Sequence, residues 1–174
     1  MASARTITYE MVGNLCLLVH GEEPPSNADW SDYLAFLGEK ADSASPRCLV
    51  VTDGVAPTPK QRAGLNDLVV AYGRPVPTAV ITHSPVARAA VALLGWFNSA
   101  IRSFAPNELS AALSYLDIEP ARRAEVLERV IRMRIEISRT SEPGNAPVDL
   151  RKIADDMESL MLKRLPALRE MTKR

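Results

Sequence analysis

"RCLVVTDGVAPTPKQRAGLNDLVVAYGRPVPTAVITH", residues 47–83, holds the reading that decides the fold. It opens on a short, continuously apolar run, Cys48 to Val51, of the kind buried on both faces of a sheet. A loop carries the chain past Asp53 and Gly54 to Thr58 and Pro59, where a helix over residues 59–72 begins; Gly73 and Pro75 end it. A second apolar run, "VPTAVITH", follows at once. Two buried strands joined by one helix pair in parallel, because the helical crossover returns the chain to the same end of the sheet.

The rhythm continues on both sides. Upstream, "TITYEMVGNLCLLVHG" contains two β-rich runs, residues 6–11 and 15–20, around Gly13-Asn14, a hairpin signal because such turns need φ > 0. A Pro-rich loop then leads into Trp30, Tyr33, Leu34, Leu37 and Ala41 at helical spacing, with Asn27 or Asp29 available as cap. Downstream come a helix from "SPVARAAVALLGWFNSA", a brief strand "IRSF" and a helix in "APNELSAALSYLD" with Asn107 at its start. The predicted fold is an α/β layered domain over residues 5–117, with a mixed, mostly parallel sheet that begins in an antiparallel hairpin.

The last third adds helices. Residues 118–139 read as a helix from Pro120, although Met133, Ile135 and Ile137 alternate with Arg132, Arg134 and Glu136 as a strand would. Val126, Val130, Met133 and Ile137 also form one helical face and no turn signal intervenes, which favours helix. Residues 140–147 have linker composition, and residues 148–173 form an amphipathic C-terminal helix. There Leu150, Ile153, Met157 and Leu160 follow a 3-4-3 spacing, widened by Met161, Leu165 and Leu168 and interrupted by Arg164 and Pro166. Such a stripe packs on its own domain, on a second copy or on another protein. Methionine adapts to partner surfaces, so Leu150, Ile153, Met157, Leu160 and Met161 are predicted to be a partner or oligomer interface.

Bulk properties exclude several function classes. With 21 basic and 21 acidic residues, no whole-molecule field draws the chain to nucleic acid or anionic lipid. Six arginines (122, 123, 129, 132, 134, 139) face Glu125, Glu128 and Glu136 in one segment, without the aromatic interleaving that base stacking needs; a solvated or partner-facing helix is the reading. No apolar stretch approaches the roughly eighteen residues of a membrane span, and "MASARTITYE" lacks the apolar region of a signal peptide. A cytoplasmic location is expected. Cys16 and Cys48 sit inside apolar runs and read as buried core thiols, and nothing has metal-ligand spacing. No cofactor or metal is expected, since neither phosphate-cradling glycine motif occurs.

Two strand-to-helix junctions carry the candidate chemistry. "TPKQ" makes Thr58 and Gln61 a capping box with Pro59 at the first helical position, and "SPVA" repeats the pattern at Ser84. Caps explain both hydroxyls; a helix start also favours an anion, so Thr58 and Ser84 are the candidate phosphoacceptor or switch residues. Asp53 and His83 end neighbouring strands, and a hydrolytic set can be drawn from Ser84, His83 and Asp53. It lacks a nucleophile elbow and oxyanion-hole glycines, so catalysis is not the expectation. His20 reads as an exposed strand end.

"ITYEMVGNLCLLVHG" and "AVITHSPVARAAVALLGWFNSAIRSFAPNELSAALSYL" together resemble the STAS and anti-sigma-factor-antagonist-like domains, most closely their bacterial stand-alone branch, called STAS/CRAL-TRIO-like. The resemblance spans residues 5–117. It implies a non-enzymatic regulatory or scaffolding module working by protein–protein interaction, switched in some branches by phosphorylation of a helix-start hydroxyl after the third strand. Thr58 is the nearest equivalent, although the switching branch places its Ser directly after the strand-end Asp, whereas Gly54 follows Asp53 here. The CRAL-TRIO side implies instead a pocket for an apolar ligand or lipid between sheet and helices. Three functions therefore stand side by side: regulatory module, apolar-ligand binder and hydrolase. A closed apolar cavity under the helix ending in Trp96-Phe97 would favour the second, and a polar pocket joining Asp53, His83 and Ser84 the third.

Overall fold

The hairpin that opens the chain turns on a positive φ. Gly13 adopts φ 63° between β1 (Ile7–Val12) and β2 (Leu15–His20), and Val12 pairs directly with Leu15 across the two-residue loop. Glycine at the first central position is what a type II′ hairpin turn requires. In the computed structural model, residues 5–40, 45–95 and 98–140 of the 174 are described.

Beyond the hairpin every pairing is parallel. β3 (Arg47–Val51), β4 (Thr78–Ile81) and β5 (Ile101–Phe104) complete a five-stranded sheet in the order β1-β2-β3-β4-β5. The parallel strands are joined through α1 (Asn27–Glu39), α2 (Pro59–Ala71) and α3 (Pro85–Leu94). Because strand order never reverses and crossovers are right-handed, all three helices belong on one face of the sheet. Such a sheet has no crevice where the winding changes direction, so ligand space has to come from between its layers.

Side-chain alternation separates the two faces. Leu15, Leu17, Val19, Leu49, Val51, Ala79 and Ile81 point to one side, where α4 (Leu109–Tyr115) and α5 (Pro120–Thr140) supply Ala112, Leu113, Val126 and Met133. Each fully buried leucine here contributes roughly 1.5–3 kcal/mol. Cys16 and Leu18 point to the other side, against Trp30 and Tyr33 of α1. The segment with two periodicities is helical throughout, and burial of Val126, Met133 and Ile137 shows which period prevails. The core thus extends past Asp117 into α5.

Local chemistry accounts for the helix starts. Thr58 Oγ1 accepts from the Gln61 N–H at 3.3 Å while Gln61 Oε1 accepts from the Thr58 N–H at 2.8 Å, the expected capping box. At α1 the cap is Ser26, not Asn27 or Asp29: Ser26 is extended (φ −63°, ψ 153°) and its Oγ accepts from the Asp29 N–H at 3.0 Å. Asp29 instead holds the start of β1, accepting from the Thr6 N–H at 2.8 Å and the Thr6 hydroxyl at 2.6 Å. Burial opposes its charge, but these hydrogen bonds outweigh burial and hold the carboxyl below its usual range.

The arginine row fastens α5 to the domain. Arg122 donates to the Val12 carbonyl at 3.0 Å, Arg123 to the Ile118 carbonyl at 3.0 Å, and Arg129 reaches Glu10 at 3.5 Å and Glu125 at 3.3 Å. Arg132 pairs with Glu128 at 3.6 Å and Arg134 with Asp53 at 2.6 Å. Arg122, Arg129 and Arg134 thus tie α5 to β1 and to the loop after β3, while Arg132 pairs along its own helix at the surface.

Candidate functional site

The two junctions lie against each other. Gly54 has φ 120°, and a Cβ there would sit 2.7 Å from Ser84 Cβ, so both conformation and space demand glycine. Ser84 Oγ accepts from the Ala87 N–H at 3.2 Å, which makes it the cap of α3. Asp53 is committed to Arg134, and His83 is exposed. No hydrogen bond joins Asp53, His83 and Ser84 to one another. The stripe Leu150, Ile153, Met157, Leu160 and Met161, the linker at 140–147 and the pair Trp96-Phe97 lie outside the described residues, apart from Thr140 at the end of α5.

A cavity of about 350 Å³ lies between the sheet and α1, α2 and α3. Its floor is the helix-facing set of the central strands: Cys16, Leu18 and His20 of β2, Cys48 and Val50 of β3, Thr78 and Val80 of β4. Leu37, Leu65, Leu68, Val69, Ala87 and Leu94 are among the helical residues that roof it. It runs from residues at the strand starts, Arg47 and Thr78, to residues at the strand ends, His20 and Thr52. At roughly 3.3 Å per residue, β3 alone spans about 16 Å of that length. Volumes of about 300–1,000 Å³ with apolar walls and few polar groups are usual for small-molecule sites.

The polar groups on its walls are mostly satisfied by the protein. Trp30 Nε1 donates to the Gln61 carbonyl at 2.9 Å, and Thr52 Oγ1 to the Val55 carbonyl at 3.0 Å. Tyr72 donates to the Leu37 carbonyl at 3.2 Å, and Asn98 Nδ2 to the Val76 carbonyl at 2.9 Å. Cys16 and Cys48 are register partners on adjacent parallel strands, with the Tyr33 hydroxyl 4.0 Å from Cys48 Sγ. Its hydrogen bond to Cys48 and its burial push the Cys16 thiol well above the usual range, while Cys48, accepting that bond, is shifted down. Burial also raises the Tyr33 phenol well above its ordinary value.

His20 departs from its expected place. It is 4% exposed, because β2 is an interior strand whose helix-facing side is covered by Trp30, with ring centroids 6.3 Å apart. Burial lowers the imidazole from 6.5 to about 4, so it is neutral at physiological pH. Its Nδ1 is the only wholly buried side-chain nitrogen or oxygen among the described residues without a hydrogen-bond partner. The period-2 pattern Cys16, Leu18, His20 was the signal available in the sequence, but it says nothing of what lies above the strand.

Among the described residues, no group of three or more His, Cys, Asp or Glu is placed to hold a metal, and no helix is long and apolar enough to cross a membrane. Fold and site together define an α/β domain with a five-stranded mixed sheet and an apolar cavity under one helical layer. The chain matches no protein-family model, no curated protein and no solved structure.

Proposed function

We propose that the domain binds a small apolar ligand between its sheet and α1–α3, as the CRAL-TRIO side of the resemblance to STAS-like domains implies. The carrying observation is the 350 Å³ apolar cavity, which passes under Ala87, Ala90, Val91 and Leu94 of α3. A packed interior leaves few voids larger than a water molecule, so an apolar space of this size calls for an occupant. Hydrolysis is disfavoured by the dispersal of Asp53, His83 and Ser84 among separate partners. The cytoplasm is the proposed compartment, where adjacent thiols such as Cys16 and Cys48 stay reduced.

The second reading is the regulatory, partner-binding module. It draws on Val70 of α2 and Val86 of α3, each 77% exposed, and on Thr58 and Ser84, whose hydroxyls already serve as caps. The stripe at Leu150, Ile153, Met157, Leu160 and Met161 would be its further contact, with another protein or with a second copy. Native mass spectrometry of the full chain purified from cells separates the two readings. A small mass that leaves on denaturation and is recovered by organic extraction is the expected result. A chain of bare sequence mass that also fails to take up added long-chain apolar compounds would refute ligand binding.

A further inference from the structure

A neutral imidazole at the strand-end wall of an apolar cavity limits what the ligand's polar end can be. No charged group is bonded to the ring, and nearby donors are committed: Trp30 Nε1 to the Gln61 carbonyl, Thr52 Oγ1 to the Val55 carbonyl, and Gln61 Nε2 to the Pro25 carbonyl; of the two guanidiniums on the cavity wall, Arg62 donates to the Pro57 carbonyl at 2.7 Å and Arg47 pairs with Asp117 at 3.0 Å. Nδ1 is sealed off from any occupant, whereas Nε2, the ring's other nitrogen, is not closed off and no hydrogen bond of the protein holds it, so at the cavity wall it is the nitrogen left for an occupant to meet. We infer that His20 recognises the polar end of the ligand, and that the ligand is an uncharged amphiphile whose hydroxyl meets the imidazole while its hydrocarbon body lies along the sheet toward Thr78 and Leu94. The inference rests on the ligand-binding reading above and adds the ligand's class to it.

A hydroxyl suits this place for a specific reason. A neutral imidazole has one donor and one acceptor nitrogen, and a hydroxyl both donates and accepts, so it pairs with either tautomer. An alkyl fluoride does neither to any useful degree. A carboxylate here would surrender its hydration to an uncharged ring, since the guanidiniums of the wall already have partners, Arg62 in the Pro57 carbonyl and Arg47 in Asp117.

The test is calorimetric titration of the full chain at pH 7.5 with three probes of similar length: decan-1-ol, 1-fluorodecane and decanoate. Decan-1-ol is expected to bind about tenfold tighter than the fluoride, the fold-change of one ordinary hydrogen bond, with decanoate weakest. In His20→Phe, which keeps the ring volume, the alcohol–fluoride ratio is expected to fall to about one. Nitrogen NMR of the unaltered protein supplies a readout independent of any variant. Decan-1-ol should move the His20 imidazole resonance and leave that of exposed His83, the other of the two histidines, in place. Equal affinity for alcohol and fluoride with an unmoved His20 overturns the role of His20 while the cavity reading survives. Tighter binding of decanoate overturns the uncharged class, and failure of every probe to bind overturns both readings together.

Discussion

Acidification should destabilise this protein from about pH 6.5 downward, and His20 is the reason. The unfolded imidazole takes up a proton near pH 6.5, whereas burial in the folded chain delays that to about 4. Above pH 6.5 the ring is neutral in both states and contributes nothing to the pH dependence. As pH falls below 6.5 the unfolded state gains a proton that the folded state refuses, so stability declines until the folded pKa is reached. At about 1.4 kcal/mol per pH unit across that interval, the total loss is on the order of 3 kcal/mol. Asp29 acts lower, since the hydrogen bonds from Thr6 keep its carboxyl below the usual range despite its burial. Urea unfolding at intervals between pH 7 and pH 4.5 measures the slope, and His20→Phe should flatten it. A variant with the same slope as the unaltered chain, or an NMR titration that protonates folded His20 near 6.5, would refute the reasoning.

Four further outcomes are expected. Ala87→Leu should be neutral or stabilising by up to about 2 kcal/mol, because its added carbons enter the cavity; in a filled core the same change costs about 1–3 kcal/mol, so thermal melts separate the cases. Met133→Ala should cost about 2–5 kcal/mol in denaturant unfolding, whereas Arg132→Ala, at an exposed ion pair, should change little. Thr58→Ala should cost about 1 kcal/mol and Thr58→Ser much less, since the hydroxyl caps α2; if Thr58 is also a regulated hydroxyl, a phosphate will be found on it in protein purified from its native cells. A chain ending at Ser141 keeps the core residues found among the described residues, from Ile7 to Ile137, and should melt cooperatively, with light scattering on both lengths reporting whether residues 142–174 carry the association.

The residues alone determined which elements form and where most of them start. Capping, turn chemistry and periodicity act within about four residues, so Gly13-Asn14, Thr58–Gln61 and Ser84-Pro85 announced the hairpin and two helices directly. They also fixed the parallel arrangement, since a strand–helix–strand unit such as residues 47–83 leaves little alternative. The cap of α1 was misread because Asn27 and Asp29 are acceptable caps locally, and the choice of Ser26 is bound up with Asp29's use by Thr6, 23 residues away. Tertiary structure alone decided the site. Whether His20 is covered depends on Trp30 crossing above β2, and whether Cys16 meets Cys48 depends on strand register. Asp53 at the first junction pairs with Arg134, 81 residues later, a partner that no local reading of the sequence could supply. The cavity exists only because three helices stand over one face of the sheet while the opposite face is filled by α4 and α5, and no local pattern of residues encodes the space left between layers.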